Sequence, residues 1–130
     1  MPALERLDGT RVVADPAAID SLVAALPASI VVLRFAPDDA FAIGITSVAV
    51  DDPDAIIEAE HGFVGGWCGI DDIRPHLEWS LPTERPALAQ GSIAGVPAKL
   101  FLPEDRGDVL VLTTAAYAAT LAERLGWSRP

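Results

Sequence analysis

DPDAIIEAEHGFVGGWCGIDDIRPHLEW, residues 52–79, is the stretch on which the fold turns. Asp52 and Pro53 read as a helix entry, because aspartate caps exposed N–H groups and proline fits the first helical position. Residues 15–19 carry the same Asp-Pro-x-Ala-Ile pattern as residues 52–56, so both predict a helix start. The second helix must be short, since Gly62 comes soon after. Gly62, Gly65, Gly66 and Gly69 mark backbone that turns sharply or lies close to something else. Phe63 and Val64 read as a strand end, and Asp71 or Asp72 as the cap of one helical turn. From His76 the pattern has period two, with Leu77, Trp79 and Leu81 on one face and His76, Glu78 and Ser80 on the other. That predicts a strand with one wet face.

Before this stretch, a short strand at 11–14 leads into a helix. Asp15 caps it, Ile19, Leu22, Val23 and Leu26 line one stripe, and Pro27 stops it. A hairpin comes next: residues 30–35 run out, Pro37-Asp38-Asp39 turns, and Phe41, Ile43 and Ile45 return, with Gly44 a bulge position. After the stretch, Pro82 and Pro86 bracket an extended loop. Strands are predicted at 93–96, 98–102 and 109–112, with a turn at 103–107. A final helix starts at Thr113 or Thr114, buries Tyr117, Leu121 and Leu125, and ends at Gly126. Residues 126–130 read as a frayed tail. The sum is one α+β domain over residues 1–130, an antiparallel or mixed sheet with helices packed on one face.

Composition bounds the function. The chain has 130 residues, 51% of them apolar, a mean hydropathy of +0.34 and a net charge of −10. A filled core, an apolar subunit contact and a carboxylate-rich surface reconcile those values. The acid is uneven: residues 1–65 hold three arginines against eleven carboxylates. Such a surface repels phosphate backbones and anionic lipid, so neither nucleic acid nor a membrane is the expected partner. A single cysteine excludes an internal disulfide framework, and the N-terminus lacks the pattern of a signal peptide. The expected location is the cytoplasm. The absence of asparagine and the 22 alanines and eight arginines against one lysine point to GC-rich bacterial coding.

Both histidines, the only cysteine and two of three tryptophans fall within residues 60–79. His61, Cys68, His76 and Glu78 are the candidate catalytic or metal-ligating groups. On one strand face, His76 and Glu78 would stand about 6–7 Å apart. Their spacings match no compact zinc, phosphate-loop, protease or redox motif, and the cofactor stays unknown from sequence. Trp67, His76, Glu78 and Trp79 are the candidate ligand-binding set. Phe101, which shares a strand face with Lys99, and Trp127 are the candidate interface aromatics. Two functions remain in competition. One is a non-catalytic module that forms a homo-oligomer or joins a partner protein as an accessory subunit. The other is a small-molecule-binding protein or small enzyme with its pocket in residues 60–79, using histidine acid/base or metal chemistry.

Overall fold

The computed structural model describes residues 2–104 and 107–128. Among the described residues, 46% lie in strands and 22% in helices. The strands are β1 (Glu5–Val13), β2 (Val32–Ala36), β3 (Asp39–Ile43), β4 (Ile56–Gly69), β5 (Ala87–Ile93), β6 (Val96–Leu102) and β7 (Asp108–Thr114). Their order in the sheet is β2-β3-β1-β4-β7-β6-β5. The β1–β3, β2–β3, β4–β7, β5–β6 and β6–β7 ladders are antiparallel. The chain forms two compact units: Leu7–His61, and Met1–Arg6 with Gly62–Pro130. Both β1 and β4 run through the two.

In the Leu7–His61 unit, helix α1 (Pro16–Ala25) forms as expected. Asp15 Oδ1 accepts the Ala17 N–H at 3.0 Å, and the chain turns extended at Leu26 before Pro27. Ile19 and Leu22 pack with Val12, Ala14 and Ala40 in the core of this unit, while Val23 stays exposed. The predicted hairpin is present as β2 and β3, and β1 is longer than the expected 11–14. Ala40, Phe41 and Ala42 are buried in succession. Successive strand residues point to opposite faces, so both faces of β3 are covered.

The second Asp-Pro motif does not start a helix. Asp52 Oδ1 accepts the Asp54 N–H at 2.9 Å and its carbonyl accepts the Ala55 N–H at 3.2 Å, which closes a single turn. The same local aspartate bond that caps α1 is therefore made at Asp52. The residues beyond the turn differ from those of α1: Ile56 and Ile57 are β-branched, and the glycines after them lower helix propensity further. The chain extends into the 14-residue β4 instead.

In the second unit, β4 pairs with β7 from Phe63↔Thr114 to Gly69↔Asp108, and β7 continues the ladder to β6 and β5. Val64, Cys68, Val109, Val111, Leu100 and Ala98 face one core, which also holds Leu4, Ile73, Ile93, Leu121 and Ala122. Leu110 and Leu112 point from the other face of β7 and are also buried. The α+β arrangement with helices on one face is therefore wrong. This is a mostly antiparallel β protein with few helices, because the segment read as helix and turns is a long strand and β3 and β7 are covered on both faces.

Hydrogen bonds account for smaller corrections. The residues read as a strand at 93–96 contain the β5–β6 turn, where Ala94 (φ 51°) and Gly95 (φ 76°) both take the positive φ of a tight hairpin. Thr113 caps no helix; its hydroxyl donates to the Pro97 carbonyl at 2.8 Å and β7 runs on through Thr114. A 3-10 turn (Ala115–Tyr117) precedes the terminal helix (Ala118–Leu125), and Tyr117 is exposed rather than in its buried stripe. Gly126 ends that helix at φ 74°, as the sequence predicts. Ser128 is held rather than frayed, since its carbonyl accepts the Leu4 N–H at 3.0 Å. Residues 129 and 130, and Asp105 and Arg106 of the predicted turn at 103–107, lie outside the described residues. Among the described residues no helix is long and apolar enough to cross a membrane.

Candidate functional site

The strand predicted from His76 onward is absent. Gly69 leads into a single helical turn, α2 (Ile70–Ile73), and then a 3-10 turn (Arg74–His76). Pro75 lies within that turn, and Leu77 makes only an isolated bridge to Ile93. His76 ends the 3-10 turn and Glu78 is exposed in the next bend, so the shared strand face that would have joined them does not exist. Pro75, whose fixed φ suits the 3-10 turn, leaves His76 inside that turn, and pairing beyond it goes no further than the Leu77–Ile93 bridge.

Cys68 is buried in β4. Burial, and then the nearby carboxylates of Asp72 and Asp108, push its thiol up to about 11. The thiol is protonated at neutral pH, the opposite of what a nucleophile or metal ligand needs. His61 belongs to the Leu7–His61 unit. Its Nδ1 lies 2.8 Å from Asp8 Oδ1, with both side chains about half exposed. Among the described residues, no three His, Cys, Asp or Glu side chains converge to hold a metal ion. His61, Cys68, His76 and Glu78 therefore do not make a metal centre.

The aromatic candidates are committed to neighbours. Trp67 stands opposite Leu110 on the face away from the Leu100 core and meets Phe101 edge to face, at 6.5 Å and 72°. Trp79 packs against the Leu100 core from the other side. Its indole Nε1 donates to the Ser92 carbonyl at 2.8 Å and lies over Gly91, where a Cβ would come within 3.1 Å. Trp67 and Trp79 thus occupy opposite faces of the sheet and cannot form two walls of one pocket. Phe101 is half-buried against Trp67 rather than left outward. Trp127 packs onto the same core as Leu121 and Ala122, with its N–H bonded to the Ala122 carbonyl at 2.8 Å.

An open hollow of about 320 Å³ does exist in the Leu7–His61 unit, lined by Asp15, Ala17, Ala18, Ser21, Asp51, Asp52 and Pro53. None of the candidate residues lines it. Several of its polar groups are already engaged: Asp15 caps α1, Ser21 Oγ donates to the Ala17 carbonyl, and Asp52 Oδ2 accepts the Asp15 N–H at 2.8 Å. The backbone bonds from Asp15 and Asp54 hold the Asp52 carboxyl below the usual carboxylate range. The two Asp-Pro motifs meet as a structural clasp.

The feature missed from sequence is the first part of β4. Ile56 is 56% exposed and Ile57 42%, and Glu58 and Ala59 are exposed beside them. Adjacent strand residues face opposite ways, so neither face is covered there. The ladder to β7 ends at Phe63, beyond which residues 56–59 extend. The signal is present in sequence: two β-branched residues, then Phe63 and Trp67 alternating with Val64 and Cys68. The Asp-Pro match obscures it.

Charge at this end is one-sided. The Leu7–His61 unit holds two arginines against ten carboxylates. Both arginines are engaged: Arg34 with Asp20 at 2.9 Å, and Arg11 with Asp39 at 2.6 Å and Glu60 at 3.1 Å. Arg11 also stacks 4.6 Å over the Phe35 ring, and its contact with Asp39, ahead of that with Glu60, raises its pKa. Asp51, Asp54 and Glu58 are exposed around residues 56–59. No protein-family model, curated protein or solved structure matches the chain.

Proposed function

We propose that the chain is a non-catalytic interaction module whose working surface is the exposed start of β4. The observation that carries this reading is the pair Ile56 and Ile57, each about half exposed at the end of a strand that outruns its neighbour β7. Burying what they expose is worth roughly 1.5–3 kcal/mol in total at the usual value for a whole aliphatic side chain. The engagement of Trp67, Trp79, Phe101 and Cys68 within the fold supports the same reading, because it leaves the residues proposed for a pocket occupied with structural work.

Size-exclusion with light scattering, on protein isolated untagged from its own cells, tests it. The module reading expects a mass above the monomer or a stoichiometric companion, reduced by the double substitution Ile56→Thr and Ile57→Thr. A monodisperse monomer that retains nothing counts against it.

One observation favours a second reading. The Asp8 carboxylate orients the His61 ring through Nδ1, an arrangement that suits an imidazole acting as acid or base. On that reading His61→Ala abolishes a small-molecule binding or turnover that Ile57→Thr leaves intact. Unchanged behaviour of His61→Ala removes it.

A further inference from the structure

We infer that the exposed start of β4 receives an extended, lysine- or arginine-bearing segment of another protein, added as a strand along residues 56–59. The inference rests on the interaction-module reading and names the class of partner. Three features converge on it. β1 takes one edge of β4, and on the other edge β4 continues beyond the end of β7, so these residues offer one edge of strand backbone past the last β4–β7 pair. A strand end of this kind templates pairing with another extended chain. Ile56 and Ile57 offer one apolar contact on each face, which suits a segment with apolar residues on both sides of its own pleat.

Charge selects the occupant. Asp51, Asp54 and Glu58 are exposed here, in a unit with ten carboxylates whose two arginines are already bonded to Asp20, Asp39 and Glu60. A second copy of this chain would bring the same acidic surface edge to edge, and like charges across strands are destabilising. Glu58 also acts as the edge charge that proteins use against self-pairing. A basic segment meets the same backbone with attraction instead, and its approach is steered by the long-range field.

The test uses synthetic peptides and the whole chain, read by fluorescence anisotropy. The probe is a short blocked peptide of paired valines flanked by lysines (Lys-Val-Val-Lys), so that valine falls on both faces of its pleat. One control replaces lysine with glutamate; another keeps the lysines but carries N-methyl groups on all its inner amides, which removes the donors of both edges. The expected result is binding of the basic peptide, weakened by added salt, with no binding of the glutamate form. The N-methylated form is expected to bind at least about ten-fold more weakly, as loss of one or two net hydrogen bonds implies. Ile57→Thr keeps the β-branched backbone preference and should weaken the basic peptide several-fold, while Gly107→Ala should not. Equal binding of the N-methylated peptide overturns strand addition, equal binding of the glutamate peptide overturns the charge argument, and no binding overturns both. Self-association lost in the Ile56→Thr, Ile57→Thr double variant would overturn the basic partner in favour of a second copy, yet leave the module reading standing. Failure of that reading appears separately, as the solitary monomer in light scattering.

Discussion

Gly66→Ala is the sharpest test of how the Gly62–Pro130 unit closes on the N-terminal residues. A Cβ built at Gly66 runs into the backbone carbonyl oxygen of Ala3 and lies 3.1 Å from the Trp127 ring. The Ala3 oxygen is backbone, so it cannot swing aside as a flexible side chain would. The N-terminal segment must therefore lift. That segment is held by the Ala3↔Ser128 bridge, by the Leu4 N–H to the Ser128 carbonyl at 3.0 Å, and by the Leu4 side chain, 0% exposed in the core. Losing a buried leucine costs roughly 1.5–3 kcal/mol, and losing that backbone bond about 1 kcal/mol. The expected destabilisation is about 2.5–4 kcal/mol on those two magnitudes, with faster exchange of the Leu4 amide. Urea unfolding, with m monitored so that a change in midpoint reads as stability, measures it. Gly107→Ala is the control, since nothing lies within 4 Å of its added carbon. A Gly66→Ala midpoint indistinguishable from that control would refute the close approach of Ala3.

The same contacts set further outcomes. Cys68, with its thiol pushed up to about 11 by burial and two carboxylates, should resist iodoacetamide at about pH 7.5 in the folded protein and react fully in urea. The Asp52 carboxyl, lowered by its bonds from Asp15 and Asp54, lends stability that is full above its unfolded pKa of about 4 and is lost as pH falls through the lower folded value. Asp52→Ala should therefore flatten the acid limb of a stability–pH curve, and an unchanged limb would refute the clasp. Arg11→Lys keeps the charge but loses the two-pronged contact with Asp39. It should cost about 1 kcal/mol in thermal or urea unfolding, whereas a neutral result would mean the pair is idle.

Helix α1, the β2–β3 hairpin and the Gly126 stop are readable in sequence because each depends on neighbours a few residues apart. Asp15, Pro16 and Pro27 act locally, and so does Gly126. Sequence misleads where distant residues decide. Gly66 pairs with Val111 within β4, and it is glycine because Ala3 and Trp127 press against it, each about sixty residues away along the chain. Nothing near Gly66 announces that approach, so its glycine reads as a turn. Asp52 misleads for a related reason. Its side chain makes the bond expected of a helix cap, but Ile56 and Ile57 then extend, and its second oxygen is taken by Asp15. The candidate site suffers most, because the expected face joining His76 to Glu78 needs a strand, whereas His76 closes a 3-10 turn and only Leu77 bridges to Ile93. Trp67 and Trp79 are close in sequence, although the intervening bend sends them to opposite faces of the sheet.

The measurement closest to the central claim is hydrogen exchange along the whole chain, with and without the lysine–valine peptide. The account predicts fast exchange, in the free protein, of those amides of residues 56–59 that face away from β1, and slowing confined to them when the peptide is added. Slowing centred on the Trp67–Phe101 contact or on the hollow at Asp15, with residues 56–59 unchanged, would contradict it.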